Sequence, residues 1–189
     1  MNLEFRLSSQ VPSSDFDSLC EILNQNWSHL KVTPDILKKR FASGSLFLIA
    51  YYENKPCGVL ETISLKTGRN LTLIPSNYDN LTNNGNWKSP VPNEDTLILV
   101  DITVYQSFSG QGLGSKMMEY SLDYLAANTA YFYMLTYTPS DPKAIAWHIK
   151  NGAKDSRYTL KNARIGHSIE DVRIMDYSLR IRELRNLNL

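Results

Sequence analysis

The chemistry of this chain concentrates in Ser109-Gly110-Gln111-Gly112-Leu113-Gly114-Ser115-Lys116, which follows the apolar run Leu97 to Tyr105 and leads into a helical pattern. Strand, glycine loop and helix in that order present unpaired backbone N–H groups and the positive end of a helix dipole to an anion. Glycine has no Cβ, so a phosphate can approach the main chain closely and the loop can take positive φ. A phosphate-bearing ligand is the expectation, and a plain turn is the alternative. Neither nucleotide fingerprint is satisfied. Gly114 is followed by Ser115-Lys116 rather than Gly-Lys-Ser/Thr, and the glycines space as G-x-G-x-G rather than G-x-G-x-x-G. In the preceding strand, Asp101 and Thr103 are polar residues in an apolar setting and ask for a reason. Cys20 and Cys57 have no CxxC or Cys/His spacing, so buried free thiols are expected and no metal site.

The elements that must position these residues read in order along the chain. Leu3 to Leu7 alternates as a strand, and Ser14 with Asp17 caps a helix striped by Phe16, Leu19, Cys20, Leu23 and Trp27. Thr33-Pro34-Asp35 starts a second helix that Gly44 ends. Leu46 to Tyr52 and Cys57 to Leu65 form a hairpin turned by Glu53-Asn54-Lys55-Pro56. Lys66 to Asp95, crowded with asparagine, glycine and proline, reads as a long loop or insertion, a lid or a disordered segment, with a short strand at Leu71 to Ile74. A strand at Thr96 to Tyr105, a helix to Asn128, a strand at Tyr131 to Tyr137 and a helix at Pro142 to Lys150 follow. Strands at about Ser156 to Leu160 and Val172 to Leu179 precede a polar tail from Arg180, for which an added turn of helix is the alternative. The pattern is α/β (α+β), a mixed sheet flanked by helices.

With 189 residues, 42% hydrophobic, the chain suits one domain, residues 1–189. Twenty basic against 19 acidic side chains give a net charge of +1, which gathers neither nucleic acid nor anionic lipid. No window approaches the roughly 18 apolar residues of a membrane helix, and Met1 to Arg6 lacks the order of a signal peptide. A cytoplasmic location is expected. The Asn-x-Ser/Thr triplets at Asn26, Asn70 and Asn80 then need no explanation.

These residues resemble the GCN5-related N-acetyltransferase (GNAT) superfamily, whose signature is a strand ending in valine, then Gln/Arg-x-x-Gly-x-Gly/Ala opening a helix. Val104, Gly112 and Gly114 match, Gly110-Gln111 fill the spacers, and Ser109 stands where Gln or Arg is usual. A second landmark, Asn-x-x-Ala-x-x-apolar-Tyr-x-x-x-Gly-Phe, is similar to Asp141 to Ala153: Ala144 and Gly152 fit, while Asp141, His148 and Ala153 replace Asn, Tyr and Phe. The resemblance covers Leu3 to Leu179, with its specific motifs in Thr96 to Gly152. It implies a mostly antiparallel sheet of about seven strands, splayed between the fourth and fifth, with about four helices. It also implies coenzyme A as cofactor, its pyrophosphate on the amides of Gln111, Gly112, Leu113, Gly114 and Ser115 beside Ser109 and Gly110. The pantetheine would run along the exposed edge where two parallel strands splay, Ile102, Thr103 and Val104 and about Met134 to Thr136, and Asp141 and Trp147 would lie against the cofactor.

The implied reaction is acetyl transfer from acetyl-CoA to a primary amine, which needs a neutral amine, an oxyanion donor and a proton for the departing thiolate. The resemblance puts the oxyanion donor at the backbone N–H of about Val104. His148 fills the proton donor's position: an imidazolium near pKa 6.5 can protonate a thiolate whose parent thiol lies near 8.5. The alternative is a packed, hydrogen-bonded ring, with Tyr133 and Tyr137 as substitutes. Asp101 shares a strand face with Thr103 and is the candidate base, with a raised pKa, or a structural carboxylate bonded to a turn. Glu61 is the second carboxylate. Asp101 with Glu61 would suit a cationic small-molecule amine, and Trp27, Trp87 or Trp147 would line its pocket. Two other readings stand beside this one: a non-catalytic acyl-CoA-binding regulatory module, and an enzyme acetylating aminoacyl-tRNA, which the balanced charge disfavours. A homodimer is the family habit.

Overall fold

The computed structural model describes residues 2–26, 31–70, 73–74, 96–165 and 168–187. In order they form β1 (Leu3–Leu7), α1 (Phe16–Asn26), α2 (Pro34–Ala42), β2 (Leu46–Tyr52), β3 (Lys55–Ser64), α3 (Leu65–Asn70), β4 (Leu97–Val104), α4 (Leu113–Asn128), β5 (Met134–Pro139), α5 (Pro142–Lys150), β6 (Lys154–Ile165), β7 (Ser168–Asp176) and α6 (Ser178–Leu187). The seven strands hydrogen bond in the order β1-β2-β3-β4-β5-β7-β6. The pairs β1–β2, β2–β3, β5–β7 and β6–β7 are antiparallel, and β4–β5 is parallel. The chain divides into two compact units, Met1–Ile63 with Val100–Ser121, and Ser64–Leu99 with Leu122–Leu189.

In the first unit, local chemistry sets each element. The Thr33 hydroxyl accepts from the Ile36 N–H at 3.4 Å and Pro34 opens α2, as the capping signature predicts. Glu53 and Asn54 both take positive φ, 50° and 63°, so β2 and β3 turn in two residues and pair Tyr52 with Lys55. Leu19, Ile22, Leu23, Leu37, Phe47, Ile49 and Val59 make one buried cluster that holds α1 and α2 to β2 and β3. Gly58 matters to this packing: a Cβ there would stand 2.7 Å from Met117 Sδ and 3.4 Å from the Thr103 carbonyl. Its hydrogen admits α4 close to β3.

The second unit departs from expectation at several places. Leu65–Asn70 is a helix where the sequence reads as loop; Ser64 Oγ accepts from the Thr67 N–H at 3.1 Å and supplies the cap. The last strand stops at Asp176, and Ser178–Leu187 is a 10-residue helix where a strand end and at most a turn of helix are expected. Asp176 Oδ1 takes the Ser178 N–H at 2.8 Å, an Asx turn that breaks the strand, and Ile181 is fully buried. Arg185 then donates to the Thr129 and Tyr131 carbonyls at 2.5 and 2.7 Å while its guanidinium lies 4.0 Å over the Phe132 ring. Those bonds occupy the segment before β5, which therefore starts at Met134 rather than Tyr131. β6 is also longer than expected. The described helices thus number six rather than about four. Of the short strand expected at Leu71 to Ile74, the first two residues lie outside the described set and the last two are not a strand.

Candidate active site

In the first unit β4 alternates. Asp101 and Thr103 are buried on one face, while Val100, Ile102 and Val104 are half-buried on the other. Thr103 Oγ1 donates to Asp101 Oδ1 at 2.9 Å, so Thr103 holds the carboxylate on its own strand face. The parallel register with β5 joins Leu97 to Met134, Ile98 to Leu135 and Leu99 to Thr136, where Thr136 Oγ1 donates to the Leu99 carbonyl at 2.9 Å. Met134 to Thr136, expected at an exposed splayed edge, are instead buried and paired, and the register that fits a splay ends at Thr136.

The end of β4 is braced on both sides. The Tyr105 N–H bonds the Cys57 carbonyl at 2.8 Å, the Tyr105 hydroxyl bonds Glu21 at 3.2 Å, and Gln25 accepts from the Gln106 N–H at 3.1 Å. A single 3-10 turn, Gln106–Phe108, then leads into the glycine loop, which Gln111 ties back through its side chain to the Ser107 carbonyl at 2.9 Å. Gly110 and Gly112 take φ of +75° and +78°, and the space where their Cβ atoms would stand is open. The first i to i−4 bond of α4 runs from Lys116 to Gly112 at 3.1 Å. The N–H groups just ahead of it have no acceptor within the helix, and they sit at the positive end of a 16-residue dipole. Clear space above left-handed glycines, with amides at a helix start, fits the pyrophosphate of coenzyme A. Ser109 is exposed beside it.

Glu61 meets a partner that the sequence reading passed over. Its carboxylate, 0% exposed, takes a bidentate pair of bonds from Arg40, one of them Nε to Oε1 at 3.1 Å, and the guanidinium faces the Phe47 ring. The charge of Glu61 is therefore compensated inside the first unit. The signal was present in α2: Arg40 lies three residues after Leu37, on the stripe that α2 buries.

In the second unit Asp141 caps α5, accepting from the Ala144 N–H at 3.2 Å. Trp147 is half-buried with its ring 5.0 Å from that of His148. His148 is buried, and its Nδ1 lies 2.7 Å from the Tyr177 hydroxyl. Burial lowers the imidazole to about 4, so the ring is neutral at pH 7 and the imidazolium expected from its ordinary pKa is not its resting form. Burial also pushes the Tyr177 phenol far up. Tyr177 follows β7, its N–H bonded to the Met134 carbonyl at 2.9 Å, and nothing in the sequence couples it to a residue 29 positions earlier. Tyr137 bonds its hydroxyl to the Leu73 carbonyl, and Tyr133 precedes β5.

The first unit thus brings together Asp101, Thr103, Val104 and the glycine loop, and the second brings together Asp141, Trp147, His148 and Tyr177. Trp27 and Trp87 lie outside the described residues. Both cysteines are free and buried. Among the described residues no helix is long and apolar enough to cross a membrane.

The sequence model of the acetyltransferase (GNAT) family matches residues 16–153. No curated protein sequence matches the chain. Similar solved structures include the yncA protein of Salmonella typhimurium with its cofactor acetyl-CoA, at 17% identity, covering 93% of each chain with a TM-score of 0.64. An N-acetyltransferase from Staphylococcus aureus Mu50 is 14% identical over 93% of this chain and 98% of its own, TM-score 0.64. A ribosomal-protein-alanine N-acetyltransferase from Brucella melitensis is 15% identical over 93% and 98%, TM-score 0.65.

Proposed function

Since the chain belongs to the acetyltransferase (GNAT) family and its cofactor is acetyl-CoA, we propose that it acetylates a primary amine carried by a small molecule. The glycine loop at the head of α4 carries this reading, because its left-handed glycines and leading amides suit a pyrophosphate whatever the acceptor is. The amides of Gly112 to Ser115 would hold that group, while the Gln111 N–H, expected among them, is turned to the Phe108 carbonyl at 3.4 Å. Ile102 to Val104, beyond the β5 register, would take the pantetheine as an added edge partner. Asp141 and Trp147 would lie near the cofactor from α5. Bound there, acetyl-CoA supplies an acetyl carbonyl activated as a thioester.

The chain's own residues divide the remaining work. The Val104 N–H would be the donor for negative charge on the acetyl carbonyl oxygen. Asp101, held by Thr103, attracts the acceptor ammonium and receives its proton directly or through one water. Glu61, expected to share in that attraction, has its charge compensated by Arg40 and is left out of it. By the resemblance, a neutral His148 would offer a hydrogen bond to the departing sulfur, and the proton that completes the thiol would come from solvent. A neutral imidazole N–H is too weak an acid to give one up. Two buried free thiols suit a reducing compartment, which favours the cytoplasm.

Calorimetric titration with acetyl-CoA, followed by an acceptor screen, tests the reading. Wild type is expected to bind at micromolar Kd, and Gly112→Glu, which adds a carboxylate beside the phosphates, to bind at least tenfold more weakly. Polyamines, amino sugars and free lysine are expected to accept acetyl groups. No binding by wild type overturns the site. Transfer to a peptide with N-terminal alanine, and to no small amine, overturns the acceptor class.

A further inference from the structure

His148 and Tyr177 form a buried polar pair that the mechanism above uses only in part. Their bond is 2.7 Å long, the ring is 7% exposed and the phenol 0%. The hydroxyl comes from the short link between β7 and α6, and the ring from α5, so the two meet through tertiary packing. Which atom donates follows from counting donors. A phenol buried this completely keeps its proton, and an O–H without an acceptor in such a place is costly. Among the described residues Nδ1 of His148 is the acceptor in reach. If Nδ1 carried the proton instead, it would donate to the phenol oxygen and leave the phenol hydrogen without a partner. Among the described residues burial is the cause that lowers the ring, with no charged side chain beside it.

We propose that Tyr177 is a positioning residue: its hydroxyl donates to Nδ1 of His148 and fixes the neutral ring as the Nε2–H tautomer, so that the side chain presents a donor, not a lone pair, at Nε2. This deepens the acetyltransfer reading and rests on it for the identity of the group at Nε2. It also assigns distinct duties to the two residues. His148 would touch the reacting atoms, while Tyr177 would act only through His148. The replacement of tyrosine by histidine in the α5 motif then comes with a second tyrosine supplied from another element, and the phenol oxygen has moved one bond further from the chemistry.

The test uses the full chain labelled with 15N-histidine, read by long-range 1H–15N correlation at pH 7. The chain has three histidines, and His148→Gln assigns the resonance by its loss. The expected wild-type pattern is a single Nε2–H tautomer with Nδ1 shifted as a hydrogen-bonded acceptor. Tyr177→Phe keeps the ring volume and removes the donor. It is expected to shift Nδ1 toward the value of an unbonded acceptor or to mix the tautomers, and to lower kcat about tenfold with KM for acetyl-CoA within twofold. An Nδ1–H tautomer in the wild type overturns the proposal, and this needs no variant to fold. A Tyr177→Phe protein with unchanged spectrum and kcat overturns it as well. An Nε2–H tautomer that Tyr177→Phe abolishes, in a wild type that transfers no acetyl group to any amine, supports the positioning and overturns the acetyltransfer reading instead.

Discussion

Residue identities were legible where a motif demanded them, and their partners were not. His148 stands out because it fills a tyrosine's place in a recognisable helix, yet Tyr177 is 29 residues away, and only the packing of α5 against the end of β7 joins them. Arg40 and Glu61 are separated by 21 residues in the same way. Burial of His148 has a consequence for acid stability. Its folded pKa, about 4, lies below the ordinary 6.5, so between those values the unfolded chain binds a proton that the folded chain refuses. Stability contributed by the neutral ring is complete above pH 6.5 and is lost as pH falls through that window, by roughly 3 kcal/mol at 1.36 kcal/mol per pKa unit. Urea unfolding at pH 7 and pH 4.5 should show this loss in wild type. His148→Gln, which keeps an acceptor for Tyr177 but does not titrate, should show a smaller one.

Elements were legible where a cap and a hydrophobic period agreed. α2, the β2–β3 hairpin and α5 form where Thr33-Pro34, Glu53-Asn54 and Asp141-Pro142 put them. α6 escaped because Arg180 to Leu187 is rich in charge and its docking depends on Arg185 finding carbonyls near the end of α4, which no local pattern reveals. α3 escaped because its six residues include Gly68 and few apolar side chains. The joint between α2 and β3 supplies a prediction at this scale. Arg40→Met or Glu61→Leu alone leaves one buried charge uncompensated and should cost about 3–5 kcal/mol. The double variant Arg40→Met/Glu61→Leu should be far closer to wild type, as a double-mutant cycle by chemical denaturation would measure. If the single losses simply add, the pair is not energetically coupled.

At the scale of the whole molecule, the family assignment and a mixed seven-stranded sheet agree with what the motifs implied, even though identity to similar structures is only 14–17%. Both cysteines sit in the first compact unit, and burial pushes the Cys57 thiol to about 11 and raises Cys20 as well. Thiolate is the reactive form, so a disulfide reagent should label neither thiol in the native protein and both once denaturant opens the unit. Fast labelling under native conditions would show that this unit opens readily without global unfolding.

The proposed site would read the cofactor's phosphates with the main chain at a helix start, and of all substitutions only one to proline removes a main-chain amide. What inheritance must preserve at that point is a pair of φ angles, held by Gly110 and Gly112. A recognition surface written in backbone can survive while nearly every side chain around it drifts, Ser109 included. Change would then accumulate in the strands and loops that meet the acceptor, so divergence within such a lineage alters which amine is acetylated long before it alters what supplies the acetyl group.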